Sequence, residues 1–305
     1  MEKPVDRSLI VIDIGGTNIR INHVDCITKT ADNKTEIFPS SSLVPTAPVD
    51  ALIHLINAYI EKHRITPEAV VIGLPASFDA DMDEVIRCTN LPFLQHCKLA
   101  TALRTHFHVP VFLEHDTLLL LLGESAELDI RESFSTLGVF FGTGIGADVL
   151  LGDKPFRLPN GSFELGHIPL HHHGRRCVCG KYGCIEAYSN GHLFFELAQN
   201  NNIPIKKIFQ LWNSTDKVGR ALKTMIHIQA LAVSTAAMLF MPEHIIIGGG
   251  IVAMQGYPKH YLEEQIKCNA LFPDLKPYFS IKWANLGEAA FLYGGIKIWE
   301  NAVRH

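Results

Sequence analysis

One imidazole and three thiols stand close along the chain as His167, Cys177, Cys179 and Cys184, an H-x9-C-x-C-x4-C spacing set among Gly180 and Gly183. Tetrahedral Zn2+ accepts that ligand set, and glycines let a short loop fold tightly round an ion. Four protein ligands leave no open coordination position, so the role would be structural. A C-x-x-C redox pair is absent. Glu164 lies three residues before His167, and Glu186 two after Cys184. A metal knot pinning this loop would also fix both carboxylates. Carboxylates beside an imidazole suit a polyhydroxylated ligand, since each hydroxyl can donate to one group and accept from another.

Two glycine turns offer a second chemistry. Asp13-Ile14-Gly15-Gly16-Thr17-Asn18 and Gly142-Thr143-Gly144-Ile145-Gly146 present backbone N–H groups with no side chain in the way, and Thr17 or Thr143 can add a hydroxyl. Such turns can wrap phosphate oxygens. Either one alone reads equally well as a plain hairpin turn. The matching pair, with Gly248-Gly249-Gly250 after a strand, points instead to nucleotide phosphate held between two hairpins. The chain contains no G-x-x-x-x-G-K-[ST] loop, and its first strand does not lead into G-x-G-x-x-G. A third candidate is Asp116, which follows Glu114-His115 at the end of an apolar strand. Local pattern alone makes it a helix N-cap; the end of a strand at an interlobe hinge is also where a catalytic carboxylate can face a cleft.

The elements that must position these groups alternate between strand and helix. Short β-branched runs predict strands at Leu9–Ile12, Val70–Gly73, Val109–Leu113, Leu137–Phe141 and Ile245–Ile247, with returning strands at Ile19–Ile21 and Ala147–Leu151. Helical spacing predicts helices over Pro48–Arg64, Leu99–His106, Thr117–Glu127 and His227–Phe240. The His171-His172-His173 run reads as a solvated loop. A strand meeting a Gly/Thr turn occurs near residue 10 and again near residue 138, which implies two related α/β lobes with a cleft between them. Residues 1–115 would form the first lobe, with a C-terminal helix at about 288–305 packing back on it. Residues 116–287 would form the second, carrying a zinc loop at 167–184.

The 305 residues exceed what one ordinary core organises, which agrees with two lobes. Against 27 Lys and Arg stand 31 Asp and Glu, so no basic excess exists to neutralise a nucleic-acid backbone. The apolar stretch Leu9–Ile14 is broken by Asp13, and Leu231–Met241 contains Ser234 and Thr235 before Pro242, so neither a signal peptide nor a membrane-spanning run of ~18 residues is expected. A soluble, cytoplasmic protein follows. Of seven cysteines, Cys26, Cys88, Cys97 and Cys268 remain unassigned, and an odd, clustered set does not suggest a disulfide framework.

The Asp13–Arg20 segment, Gly142–Gly146, Glu164-Leu165-Gly166-His167 and Cys177-Val178-Cys179-Gly180-Lys181-Tyr182-Gly183-Cys184-Ile185-Glu186 together resemble the ROK family of bacterial sugar kinases and repressors. The resemblance runs from about residue 8 to residue 298. It implies the two-lobed actin/hexokinase-like, ribonuclease H-like fold, a homodimer, and transfer of phosphate from ATP with Mg2+ to a hexose. It implies further that Asp116 is the general base for the sugar 6-hydroxyl and that Asp13 orients hydrated magnesium. By the same resemblance Gly15, Gly16, Thr17, Asn18, Gly142, Thr143 and Gly144 serve the phosphates, and Gly249 and Gly250 lie against the adenosine. Glu164, His167 and Glu186 would bind sugar hydroxyls, His167 with its second nitrogen on zinc.

Three positions depart from the family pattern. His115 stands where Asn usually precedes the catalytic Asp, Leu118 where a second Asn is usual, and Phe163 where a glycine commonly precedes the E-x-G-H glutamate. Thr89-Asn90-Leu91-Pro92 resembles the Asn-Leu-Pro segment of bacterial D-allose kinases, which also carry a basic residue before the Asp. That makes Asn90 and His115 sugar-binding candidates and D-allose the expected substrate, with N-acetylmannosamine, N-acetylglucosamine or glucose as alternatives. Repressors of the family carry a helix-turn-helix domain before the kinase-like part, and Asp13 arrives too early for one. The kinase branch is therefore expected.

Overall fold

The computed structural model describes residues 7–28, 30, 35–130, 135–157, 163–270, 272 and 278–303. The chain divides into two units, one of Met1–Leu128, Arg157–Ser162 and Glu288–His305, the other of Asp129–Phe156 and Phe163–Gly287.

In the first unit, β1 (Arg7–Ile14) and β2 (Asn18–Asp25) form the hairpin around the first glycine turn, and β3 (Glu36–Pro39) pairs with β2. Helix α1 (Pro48–His63) starts on a proline, stops at Arg64 in the left-handed region, and buries Leu52, Ile56 and Tyr59. There follow β4 (Thr66–Leu74), the short ribbon β5 (Ser77–Phe78) with β6 (Val85–Arg87), α2 (Leu99–Phe107), β7 (Val111–His115) and α3 (Asp116–Glu127). The sheet order is β3-β2-β1-β4-β7, with β1, β4 and β7 parallel. Leu9–Ile12 and Ala69–Ile72 are buried along their length, as central strands covered on both faces must be.

The second unit opens with β8 (Ser135–Phe141), β9 (Ile145–Leu151) and β10 (Lys154–Pro155), then α4 (Gly191–Asn200), α5 (Lys217–Phe240), β11 (His244–Gly248), α6 (Lys259–Ala270) and β12 (Ser280–Trp283). Its sheet order, β10-β9-β8-β11-β12, repeats the first: a three-strand antiparallel run followed by two parallel strands. Helix α5 is long and apolar enough to suit a membrane by composition, yet most of it is buried against this sheet. It begins ten residues before the expected His227, because its first turns mix Lys and Arg with Val218, Leu222 and Met225 on a single buried stripe.

The last helix, α7 (Ala290–Val303), returns to the first unit. The boundary expected after residue 115 falls instead after Leu128, because α3 packs with α7 at backbone contact. A β-carbon built on Gly123 would lie 2.1 Å from Ala290 O, and one on Gly294 2.0 Å from Leu119 O. Elsewhere in a helix Gly→Ala gains about 1 kcal/mol. Here the clash reverses the sign. Gly294→Ala should lower stability by about 1–3 kcal/mol in urea unfolding, and a gain would show that the helices have room to part.

Candidate functional site

The first unit gathers its candidate residues at the carboxyl ends of three parallel strands, where α/β sheets commonly bind ligands. Asp13, the penultimate residue of β1, is in register with Gly73 of β4, and Gly73 is in register with Glu114 of β7. A β-carbon on Gly73 would lie 3.3 Å from Asp116 Cα and 2.8 Å from Leu119 Cδ1, so the bare strand lets the start of α3 close in. Strand β7 runs to His115, two residues beyond the expected end, and His115 occupies the helix N-cap without a side-chain capping bond. Asp116 is therefore the first helical residue and not the cap. Its Oδ1 accepts the N–H of Thr117 at 2.8 Å.

The turn itself is closed by Gly15 N–H donating to Asn18 O at 2.8 Å and by Ser40 Oγ donating to Gly15 O at 2.6 Å. Gly16 and Thr17 are exposed at its tip. Asn90 lies against it: a β-carbon on Gly16 would stand 3.1 Å from Asn90 Cβ. Asp13 Oδ2 accepts from Arg20 Nη1 at 2.9 Å, and Arg20 Nη2 reaches Glu288 Oε1 at 3.3 Å. Burial pushes the Asp13 carboxyl above its ordinary range, and the Arg20 guanidinium acts against that shift. Arg20 was not among the expected residues, although a hairpin pairing Ile14 with Ile19 necessarily places it opposite Asp13. Phe78, stacked on His115 with centroids 5.7 Å apart, carries no signal in the sequence.

The second unit has a matching strand end. The 142–146 turn follows β8, and Gly142 N–H donates to Gly144 O at 3.0 Å. Thr143 is exposed at the tip. Helix α4 begins against this turn, with Gly191 N–H donating to Gly142 O at 2.9 Å, so the positive end of a helix adds to the exposed amides. Gly249, at φ +101°, is pressed onto the Phe141 backbone, where a β-carbon would lie 2.3 Å from Phe141 O; Gly250 has open space around it. Of this pair, Gly250 offers the accessible surface.

Glu186 is buried, and its Oε2 accepts the N–H of Ile145 at 2.8 Å. A β-carbon on Gly144 would lie 2.4 Å from that oxygen and one on Gly166 3.0 Å. The expected sugar ligand therefore also braces the glycine turn. Glu164 is exposed, with Oε2 3.8 Å from His167 Nε2. Phe163 packs against Phe156 and Phe240, with ring centroids 5.7 and 4.9 Å away.

The four expected metal ligands converge. One ligand atom from each of His167, Cys177, Cys179 and Cys184 falls within 4.8 Å of the others, with His167 Nδ1 3.5 Å from Cys177 Sγ and Cys179 Sγ 3.7 Å from Cys184 Sγ. Thiolates at ~2.3 Å from a tetrahedral ion require sulfur separations of this size. Burial pushes the Cys177 thiol up to about 12, so a cation is what would hold it as thiolate at neutral pH. The loop closes through Cys177 N–H to Lys181 O at 2.8 Å and Gly183 N–H to Arg175 O at 2.8 Å. Gly183, at φ +75°, could carry no side chain, since a β-carbon would lie 1.7 Å from His171 O. His171, His172 and His173 are exposed beside the knot.

The ROK family model matches residues 9–302. The chain belongs to the ROK family. An N-acetyl-D-glucosamine kinase from Salmonella paratyphi B is 26% identical over 258 residues, covering 78% of this ROK chain and 82% of that protein. A ROK family glucokinase from Streptomyces griseus, solved with glucose and AMPPNP, superposes at a TM-score of 0.80 with 23% identity, over 95% of this chain and 98% of that one. A ROK family transcriptional regulator, a homologue of the E. coli MLC protein, reaches 0.81 with 18% identity, over 97% of this chain and 78% of the regulator. The fold is the mixed α/β, actin/hexokinase-like fold of ROK sugar kinase structures.

Elemental analysis of the purified protein should find about one zinc per chain. Cys184→Ser should lose it, with a fall in affinity beyond the ~10–100-fold that an outer partner costs and a lower melting temperature. A metal-free protein of unchanged melting temperature would defeat the assignment.

Proposed function

We propose that the chain transfers the γ-phosphate of ATP to the 6-hydroxyl of a hexose, with D-allose as substrate. It is an ATP-dependent sugar kinase, and the observation that carries the reading is the shared strand end of the first unit. There the open Asp13–Asn18 turn, Asn90 and Asp116 sit on β1, β4 and β7 and their adjoining loops, with Gly73 bare between the two carboxylates.

Asp116 takes the proton of the 6-hydroxyl as that oxygen attacks, leaving the sugar 6-phosphate and ADP. Amides of the two glycine turns, with Thr17 and Thr143, donate to the phosphates. Magnesium, when bound, neutralises charge on the phosphates; a single carboxylate suits an ion that keeps most of its waters, and Asp13 fits that part. Asn90, His115, Glu164, His167 and Glu186 hold the sugar. Zn2+ on His167, Cys177, Cys179 and Cys184 is structural. The same reading makes the protein a cytoplasmic homodimer without a nucleic-acid or membrane partner.

His115 and the Asn90-Leu91-Pro92 segment favour D-allose. The identity to an N-acetylglucosamine kinase favours an N-acetylhexosamine as second reading. A carboxylate at position 116 fits the general base that turnover needs, which favours the kinase over a regulator.

ADP release measured with ATP, magnesium and a panel of hexoses and N-acetylhexosamines should be greatest with D-allose. A peak at N-acetylglucosamine would move the assignment to the second reading, and silence across the panel would sink both. Asp116→Asn should lower kcat by ~10²–10⁴ while calorimetry still detects sugar binding; near-normal turnover would acquit Asp116.

A further inference from the structure

Glu114, which takes no part in the proposed phosphoryl transfer, is a 4% exposed carboxylate on β7 two residues before Asp116. Both of its oxygens accept from one guanidinium: Arg157 Nη1 donates to Oε2 at 3.0 Å and Nη2 donates to Oε1. A buried carboxylate stays charged only if paired. Fork-to-fork geometry fixes orientation as well as charge. Arg157 belongs to the first unit although Phe156, its neighbour in the chain, belongs to the second. Glu114 is in register with Gly73, and Gly73 is the residue whose missing side chain admits the Asp116 backbone. The Arg157 contact therefore acts on the same stretch of strand that delivers Asp116.

We infer that Arg157 is a positioning residue for phosphoryl transfer, its bidentate bond to Glu114 fixing the end of β7 and with it the placement of Asp116. The inference rests on Asp116 being the general base. A misplacement of about 1 Å at a reacting group can cost ~10² in rate, so loss of the clasp falls on kcat more than on binding.

The test uses Arg157→Ala, Arg157→Lys, Glu114→Gln and the Arg157→Ala/Glu114→Gln double variant. Arg157→Ala should lower kcat by ~10–100-fold with KM for ATP changed by less than about twofold, a split expected when only the chemical step is disturbed. Added guanidinium should restore part of the loss, and Arg157→Lys should lose less than Ala. The double variant should be little worse than either single one, as for two partners of one interaction. An unchanged kcat in Arg157→Ala and Arg157→Lys, a loss that guanidinium leaves untouched, or strictly additive losses would each overturn the inference.

Hydrogen exchange at the amides of residues 115–118 reads the clasp without turnover. It should quicken there in Arg157→Ala or Glu114→Gln and stay unchanged in the second unit; unaltered exchange at 115–118 counts against the inference. Asp116→Asn is assayed alongside. If that variant keeps its turnover the base assignment fails, and the clasp is then judged on exchange alone.

Discussion

A single carboxylate oxygen interlocks three motifs of the second unit. Glu186 Oε2 accepts the Ile145 N–H at 2.8 Å, and it can approach only because Gly144 and Gly166 carry no side chain, where β-carbons would stand 2.4 and 3.0 Å away. Gly144 belongs to the glycine turn, Gly166 to the E-x-G-H segment, and Glu186 to the stretch that completes the cysteine motif. A buried carboxylate without a donor is costly, so the turn amide is as necessary to Glu186 as Glu186 is to the turn. Polar groups held in advance of the ligand cost no reorganisation when charge develops. Gly144 and Gly166 are thus explained by proximity of one oxygen, more than by backbone freedom.

The first unit reaches the same end by a different route. Its glycines, Gly73, Gly123 and Gly294, allow backbone to meet backbone or side chain, drawing α3 onto β4 and α7 onto α3. Ion pairs then set the carboxylates at the strand ends: Arg20 on Asp13 and Arg157 on Glu114. Burial works against each carboxylate, and a guanidinium offsets it. Close packing fixes where α3 begins, while the charges fix which way its neighbours point.

Most of this architecture was readable in the residue pattern where burial is complete and the period is clean. Leu9–Ile12, Val70–Gly73 and Ile245–Ile247 are strands as read, and Pro48–Arg64 is a helix to within one residue. The edge strands β3, β5, β6, β10 and β12 were not, since segments of two to four half-exposed residues carry no period. The lobe boundary was misplaced because a contact between α3 and α7 joins residues far apart in the chain, and two helical glycines look merely unfavourable until the neighbour is seen. Residues with spacing of their own, the converging His167, Cys177, Cys179 and Cys184 above all, could be named in advance. Partners supplied by tertiary structure, Arg157 for Glu114 and Phe78 for His115, could not.

The cysteine knot shows why such spacing is so informative. Between His167 and Cys184 the chain forms no regular strand or helix, only two isolated bridges at its own ends and middle, and Val178 and Tyr182 are exposed. A stretch with so little apolar burial cannot offset the entropy of ordering itself. Metal binding supplies that free energy in small loops of this kind. A bound metal would also set the tautomer of His167. His167 turns Nδ1 toward the thiols and Nε2 toward Glu164. With Nδ1 committed to the knot, Nε2 must carry the hydrogen and act as a donor. A donor beside the carboxylate of Glu164 is a pair that one hydroxyl can satisfy in both directions, accepting from the ring and donating to the oxygen. On the proposed reading, metal and sugar meet on the two nitrogens of one imidazole, and the loop that has no core of its own sets which nitrogen faces each.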